Sequence, residues 1–110
     1  MLIYKERLPE STLEIVPVRL PFHLVSEAKD SVLKVDSQFG CPCMWYQADV
    51  YEDYENIEEE FYIIAVGTGH TWNSKLSRDS YIGTVLLAND TLVLHYFILK
   101  DIKNIKDYFI

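Results

Sequence analysis

Cysteine is almost missing from this chain: Cys41 and Cys43 are the two in 110 residues. That excludes a secreted disulfide scaffold and leads to the expectation of a reducing compartment. Long apolar runs are missing too. No stretch approaches the roughly 18 uninterrupted apolar residues that a membrane-spanning helix needs. Met1-Leu2-Ile3-Tyr4 meets charge at Lys5, short of the apolar core of about 7–15 residues that a secretory leader carries. Neither a membrane partner nor export is expected. Basic residues are scarce, ten against 17 acidic, for a net charge of -7. Gripping a phosphate backbone over a broad surface takes clustered Lys and Arg, so no direct nucleic-acid partner is expected. No repeat, linker or low-complexity segment appears apart from one acidic run.

What is present suits a packed core. Apolar-class residues make up 49% of the chain and aromatics 14%, far from the composition of a disordered segment. A single domain over 1–110 is expected at this length. The acidity is local. Glu52, Asp53, Glu55, Glu58, Glu59 and Glu60 fall within ten positions, and without those six the 17 acidic residues drop to 11 against ten basic ones.

Hydrophobic periodicity along most of the chain is two, which predicts strands. Leu13, Ile15 and Val18 lie in a run interrupted by Pro9, Pro17 and Pro21, an edge strand at best. Phe22–Asp30 fits a turn or one helical turn. Val32–Gln38 reads as a strand, Phe39-Gly40-Cys41-Pro42 as a turn, and Cys43–Val50 as the returning strand. The acidic run follows as a solvated loop or fraying strand tips. Phe61–Val66 is apolar throughout, as in a central strand covered on both faces. Gly67 to Ser80 is a polar connection. Tyr81–Leu87 and Thr91–Leu99 form a hairpin around Ala88-Asn89-Asp90. A three-residue loop sets Val85 against Val93, Tyr81 against Phe97 and Gly83 against His95, whereas a two-residue loop sets Thr84 against His95. In Asp101–Ile110 the period changes: Ile102, Ile105 and Phe109 behind Asp101 predict a short amphipathic C-terminal helix. The fold class is therefore mainly β, a compact antiparallel sheet folded as a small sandwich or partly open barrel, with Trp45, Ile63, Val66, Val85, Val93 and Phe97 in its core.

Three stretches carry a family resemblance. Val32-Leu33-Lys34-Val35 through Gly40-Cys41-Pro42-Cys43-Met44-Trp45 resembles a strand followed by a Gly-x-Pro-Cys-x-Trp turn. Val66-Gly67-Thr68-Gly69-His70 resembles a Gly-Thr-Gly-His element. Tyr81-Ile82-Gly83-Thr84-Val85 and Leu92-Val93-Leu94-His95-Tyr96-Phe97 resemble a closing hairpin. In that order they are similar to a family of small phage-encoded domains with no assigned activity. The resemblance covers Val32 to Ile98 and implies a compact β domain of phage origin working in the host bacterial cytoplasm. An N-terminal arm, the acidic run and the C-terminal helix depart from the pattern.

Four features are candidates for function. Cys41-Pro42-Cys43 with His70 and His95 has the residue types of a zinc site. One residue between the cysteines is too few for the usual spacing, and a turn proline beside a buried strand thiol explains them equally, so no metal and no cofactor is expected. Gly67-Thr68-Gly69-His70, with Lys75 and Arg78 downstream, combines glycines that admit a ligand to the backbone with N–H groups and two cations suited to an anion. It lacks the third glycine of a dinucleotide fingerprint, and a tight turn needing positive φ is its plainer explanation. No serine or cysteine sits in the context of an activated nucleophile and no carboxylate pair stands apart, so no catalytic residue and no enzyme is expected. Finally, Tyr51, Tyr54 and Ile57 are interleaved with the carboxylates at three-residue spacing. A helix formed there on binding would carry an aromatic stripe flanked by acid, ready for a basic groove; a solvated loop is the simpler explanation.

The function expected from these features is a non-enzymatic phage accessory protein. It would bind and inhibit a bacterial host protein, of a defence system, through Tyr51, Glu52, Asp53, Tyr54, Glu55, Glu58, Glu59 and Glu60. The alternative is a protein that sequesters a small anionic metabolite or signalling nucleotide with Gly67, Thr68, Gly69, His70, Lys75 and Arg78. A structural or virion-associated role, and a homo-oligomer, stay open.

Overall fold

Seven strands and two single helical turns make up the structure, a computed structural model that describes residues 2–10, 15–21, 28–48, 58–69 and 78–99. In chain order these are β1 (Leu2–Arg7), β2 (Ile15–Pro21), α1 (Ala28–Ser31), β3 (Val32–Gln38), β4 (Cys41–Ala48), β5 (Glu58–Gly67), a 3-10 turn (Arg78–Ser80), β6 (Tyr81–Leu87) and β7 (Leu92–Leu99). They form two antiparallel sheets, one ordered β1-β4-β3 and the other β2-β5-β7-β6. The mainly β expectation holds. The expected C-terminal helix lies outside the described residues.

β2 takes the edge of its sheet, where Pro17 and Pro21 cost no central ladder hydrogen bond. β3 has the bounds its alternation predicts. Its turn is tighter than expected: Phe39 and Gly40 both have positive φ, and Gln38 pairs with Cys41. That is the two-residue hairpin whose twist matches the strands. Cys41 and Pro42 therefore belong to β4 and not to the turn. Phe39 is 97% exposed in this left-handed position, which suits glycine or asparagine better than a bulky side chain. β1 went unpredicted because Leu2-Ile3-Tyr4-Lys5-Glu6-Arg7 shows little alternation. It is held by pairing with β4, from Leu2 against Ala48 to Arg7 against Cys43.

One cluster joins the sheets. Met44, Tyr46 and Ala48 of β4 meet Phe61, Ile63 and Ala65 of β5, Val85 and Leu87 of β6, and Leu94, Tyr96 and Ile98 of β7. Burying each large apolar side chain there contributes about 1.5–3 kcal/mol. The Tyr96 hydroxyl crosses this core to donate to the Pro9 carbonyl at 2.7 Å. Where β3 lies against β6, a Cβ on Gly83 would sit 2.7 Å from Val35 Cβ. Gly83 is thus the residue that lets the two strands approach.

Ile63, Val66, Val85 and Phe97 are buried as expected, but Trp45 and Val93 are only half-buried. Side-chain alternation turns Trp45 away from Met44 and Tyr46, and Val93 away from Leu94, onto the outer faces.

Candidate functional site

The outer face of the four-stranded sheet carries a polar stripe across β5, β7 and β6. Alternation sends Leu94, Tyr96 and Ile98 inward and His95 and Phe97 outward. The β6–β7 loop runs over four residues, Ala88 to Thr91, and sets Thr84 opposite His95 and Val85 opposite Leu94. This is the pairing a two-residue loop predicts; the alternative, Val85 against Val93 and Gly83 against His95, is not formed. An irregularity between Tyr81 and Gly83 shifts the register, so that Tyr81 does face Phe97. Three residues of the loop, Ala88, Asn89 and Asp90, have positive φ. Thr91 braces them by donating both its backbone N–H and its hydroxyl to the Ala88 carbonyl.

His95 is held at both ring nitrogens. Nε2 lies 2.7 Å from Thr68 Oγ1, and Nδ1 lies 2.9 Å from Thr84 Oγ1. Thr84 Oγ1 in turn bonds the Tyr81 hydroxyl. The Tyr81 ring packs edge-on against Phe97, with centroids 5.6 Å apart. The Thr68 N–H donates to the Val93 carbonyl, which fixes the start of the glycine turn beside β7. Gly69 follows with φ +86, and nothing lies within 4 Å of where its Cβ would stand. Its missing side chain therefore serves the backbone conformation and leaves open space above it.

These residues border an open cavity of about 360 Å³, lined by Val66, Gly67, Thr68, Gly69, Tyr81, Thr84 and His95. Among the described residues the lining holds three hydroxyls, one imidazole and no carboxylate, in a chain with 17 acidic residues. Beneath it Val66 and Phe97 are buried together with Ile64. A rigid apolar floor with a few convergent polar groups is the usual make-up of a small-molecule site.

Of the expected ligand residues, Gly67, Thr68 and Gly69 line the cavity, while His70 and Lys75 lie outside the described residues. Arg78 is on the 3-10 turn and outside the lining; its carbonyl accepts from Lys29 Nζ at 3.5 Å. Tyr81, Thr84 and His95 were not assigned to this site from the sequence. The cross-strand pairing of Thr84 with His95 was the available signal, and what it lacked was the neighbourhood of Thr68.

The other candidates are apart from it. Cys41 and Cys43 are free thiols on β4, in the other sheet, with Arg7 donating to Cys41 Sγ at 3.1 Å. His95 and the cysteines thus belong to different sheets, and among the described residues no three His, Cys, Asp or Glu side chains gather to hold a metal. Tyr51, Glu52, Asp53, Tyr54 and Glu55 lie outside the described residues. Glu58, Glu59 and Glu60 open β5 as strand residues, paired with Pro21, Leu20 and Arg19. Their half of the acidic run is therefore not a loop. No described helix is long and apolar enough to cross a membrane.

A family model for a domain of unknown function, DUF7352, matches residues 1–106. The chain belongs to that family. The match takes in every described strand, along with the N-terminal arm and acidic run that the resemblance had set apart. No curated protein and no solved structure matches the chain.

Proposed function

We propose that this domain captures a small anionic molecule in the cavity over His95. The observation that carries the reading is the cavity: about 360 Å³, within the size range of small-molecule sites, with hydroxyls, an imidazole and a glycine turn converging on it and no carboxylate in its described lining. The surrounding strands supply rigidity. We read the two sheets as a small sandwich closed most tightly at β3 and β6, which leaves the outer face of the second sheet for the ligand. In the setting that the family resemblance implies, a phage-infected bacterial cytoplasm, such capture removes a metabolite or signalling nucleotide from the host without chemistry.

Docking on a host defence protein through the acidic run is the competing proposal. Three of its six carboxylates, Glu58, Glu59 and Glu60, are committed to β5, which withdraws them from any helix formed on binding.

Native mass spectrometry of protein incubated with a bacterial metabolite extract tests the reading. Wild type retains a small anionic species that His95→Gln and Gly69→Val lose while keeping their circular dichroism. Absence of any retained small molecule, or equal retention by both variants, overturns it.

A further inference from the structure

The hydrogen-bond chain Thr68–His95–Thr84–Tyr81 has a consequence for the kind of anion that fits. Each hydroxyl donates one proton, and a neutral imidazole donates through one nitrogen and accepts through the other. With the ring neutral the chain runs one way. If Nδ1 carries the proton, Thr68 donates inward to Nε2, and the chain points outward only at Tyr81. If Nε2 carries it, Nε2–H donates to Thr68 and Thr68 points outward, while the Tyr81 hydroxyl donates inward to Thr84. With the ring charged both nitrogens donate, to Thr68 Oγ1 at 2.7 Å and to Thr84 Oγ1 at 2.9 Å. Thr68 then donates into the cavity, Thr84 donates to Tyr81, and Tyr81 also donates into the cavity. Both ends of the chain face the ligand as donors only in the charged state.

We propose that the ligand is an oxyanion with at least two acceptor oxygens, of the phosphoryl or sulfo kind, received by the Thr68 and Tyr81 hydroxyls together, and that His95 takes up one proton as it binds. The inference rests on the anion-capture reading above. The groups facing the ring support it. β5 contributes Val66 and Gly67, and the turn after it Thr68; β6 contributes Tyr81 and Thr84; on β7 itself the outward neighbours are Val93 and Phe97. Among the described residues none of these is a carboxylate or a fixed cation. The 3-10 turn and α1, both packed against β7, carry Arg78 and Asp79, and Lys29 and Asp30, all outside the lining. A charge on the ring is therefore balanced by the bound anion, and charge-assisted bonds are roughly twice as strong as neutral ones. Histidine is the side chain suited to such a change of charge between pH 5 and 8.

The probe is inorganic sulfate, which does not itself titrate in this range. Titration calorimetry in two buffers of different ionisation enthalpy should show net proton uptake on sulfate binding, at most one proton per sulfate. Affinity should fall by up to about tenfold per pH unit on the alkaline limb, the slope of a single coupled proton. His95→Gln keeps hydrogen-bonding groups but cannot charge, so its residual binding should be weak and flat with pH. Thr84→Val should weaken binding several-fold by cutting Tyr81 from the ring. In the wild type, the His95 ring nitrogen shifts should move to the imidazolium pattern as sulfate is added, a readout that no unfolded variant can mimic. Sulfate binding with no proton uptake, or with a neutral ring, overturns the proposal and leaves anion capture standing. No sulfate binding by wild type overturns the oxyanion class, and a different small anion retained from the metabolite extract would then show that capture itself survives.

Discussion

The two faces of the four-stranded sheet come from the same strands and have opposite characters. Inward, Leu94 and Tyr96 are fully buried among Ile63, Ala65 and Val85. Outward and one residue away, His95 lies in a line of hydroxyls bordering an open cavity. The strand period of two allows this. A ladder stiffened by a packed inner face holds the polar groups of its outer face at fixed spacing, and binding chemistry can change there without touching the core. At Leu94 and His95 the partition separates stability from site by parity, whereas Phe97, outward as well, is buried with Ile64 and Val66 and serves stability.

The sharpest test uses adjacent residues. Leu94→Ala should cost about 2–5 kcal/mol, as truncation of a buried leucine does, read as a lowered denaturant midpoint. His95→Gln should cost only about 1 kcal/mol, the net worth of an ordinary hydrogen bond, yet sharply weaken ligand retention. If the two variants were equally destabilised, His95 would belong to the scaffold.

Tyr96 probes the inner face by pH. Burial, with the Glu10 carboxylate adding to it, pushes its hydroxyl well above the ordinary tyrosine value. Below about pH 10 both folded and unfolded chains keep this proton, and its contribution is whole. As pH rises past that point the unfolded chain ionises first, so stability declines until the folded value is reached. An absorbance titration of tyrosinate in wild type and Tyr96→Phe should show, as their difference, a hydroxyl silent until unfolding, and Tyr96→Phe should flatten the alkaline decline. A Tyr96 that ionises along with the rest would place it outside the dry face.

The smallest effect on stability per residue is expected at the acidic run. Exchanging Glu52, Asp53, Glu55, Glu58, Glu59 and Glu60 for Gln should shift stability by within about 0.5 kcal/mol each and leave ligand retention unchanged. Loss of retention in this variant would move the site away from His95. A salt-sensitive host-protein association that the variant slows would favour docking through the acidic run instead.

Much of the strand layout was legible in the residues. Val32–Gln38 and Tyr81–Leu87 alternate strongly enough to give their bounds, and the continuous apolar run Phe61–Val66 marks a strand covered on both faces. Gly67, Thr68 and Gly69 could be singled out because glycines flanking a hydroxyl after a buried strand are locally conspicuous. β1 was not legible, since its partner β4 lies about forty residues away and its own sequence carries little alternation.

By itself the sequence determined the period of the strands after β1, the positions of the hairpins and the glycine turn, because side-chain alternation and turn conformation depend on a few consecutive residues. It also determined that Leu94 and His95 point to opposite faces. The tertiary structure alone decided which strands became neighbours. It divided them into two sheets, brought β3 against β6 through Gly83, and set Thr68 of the β5 turn beside a histidine 27 residues further on. Those choices follow from burying one shared apolar cluster, a sum over the whole chain that no short window contains.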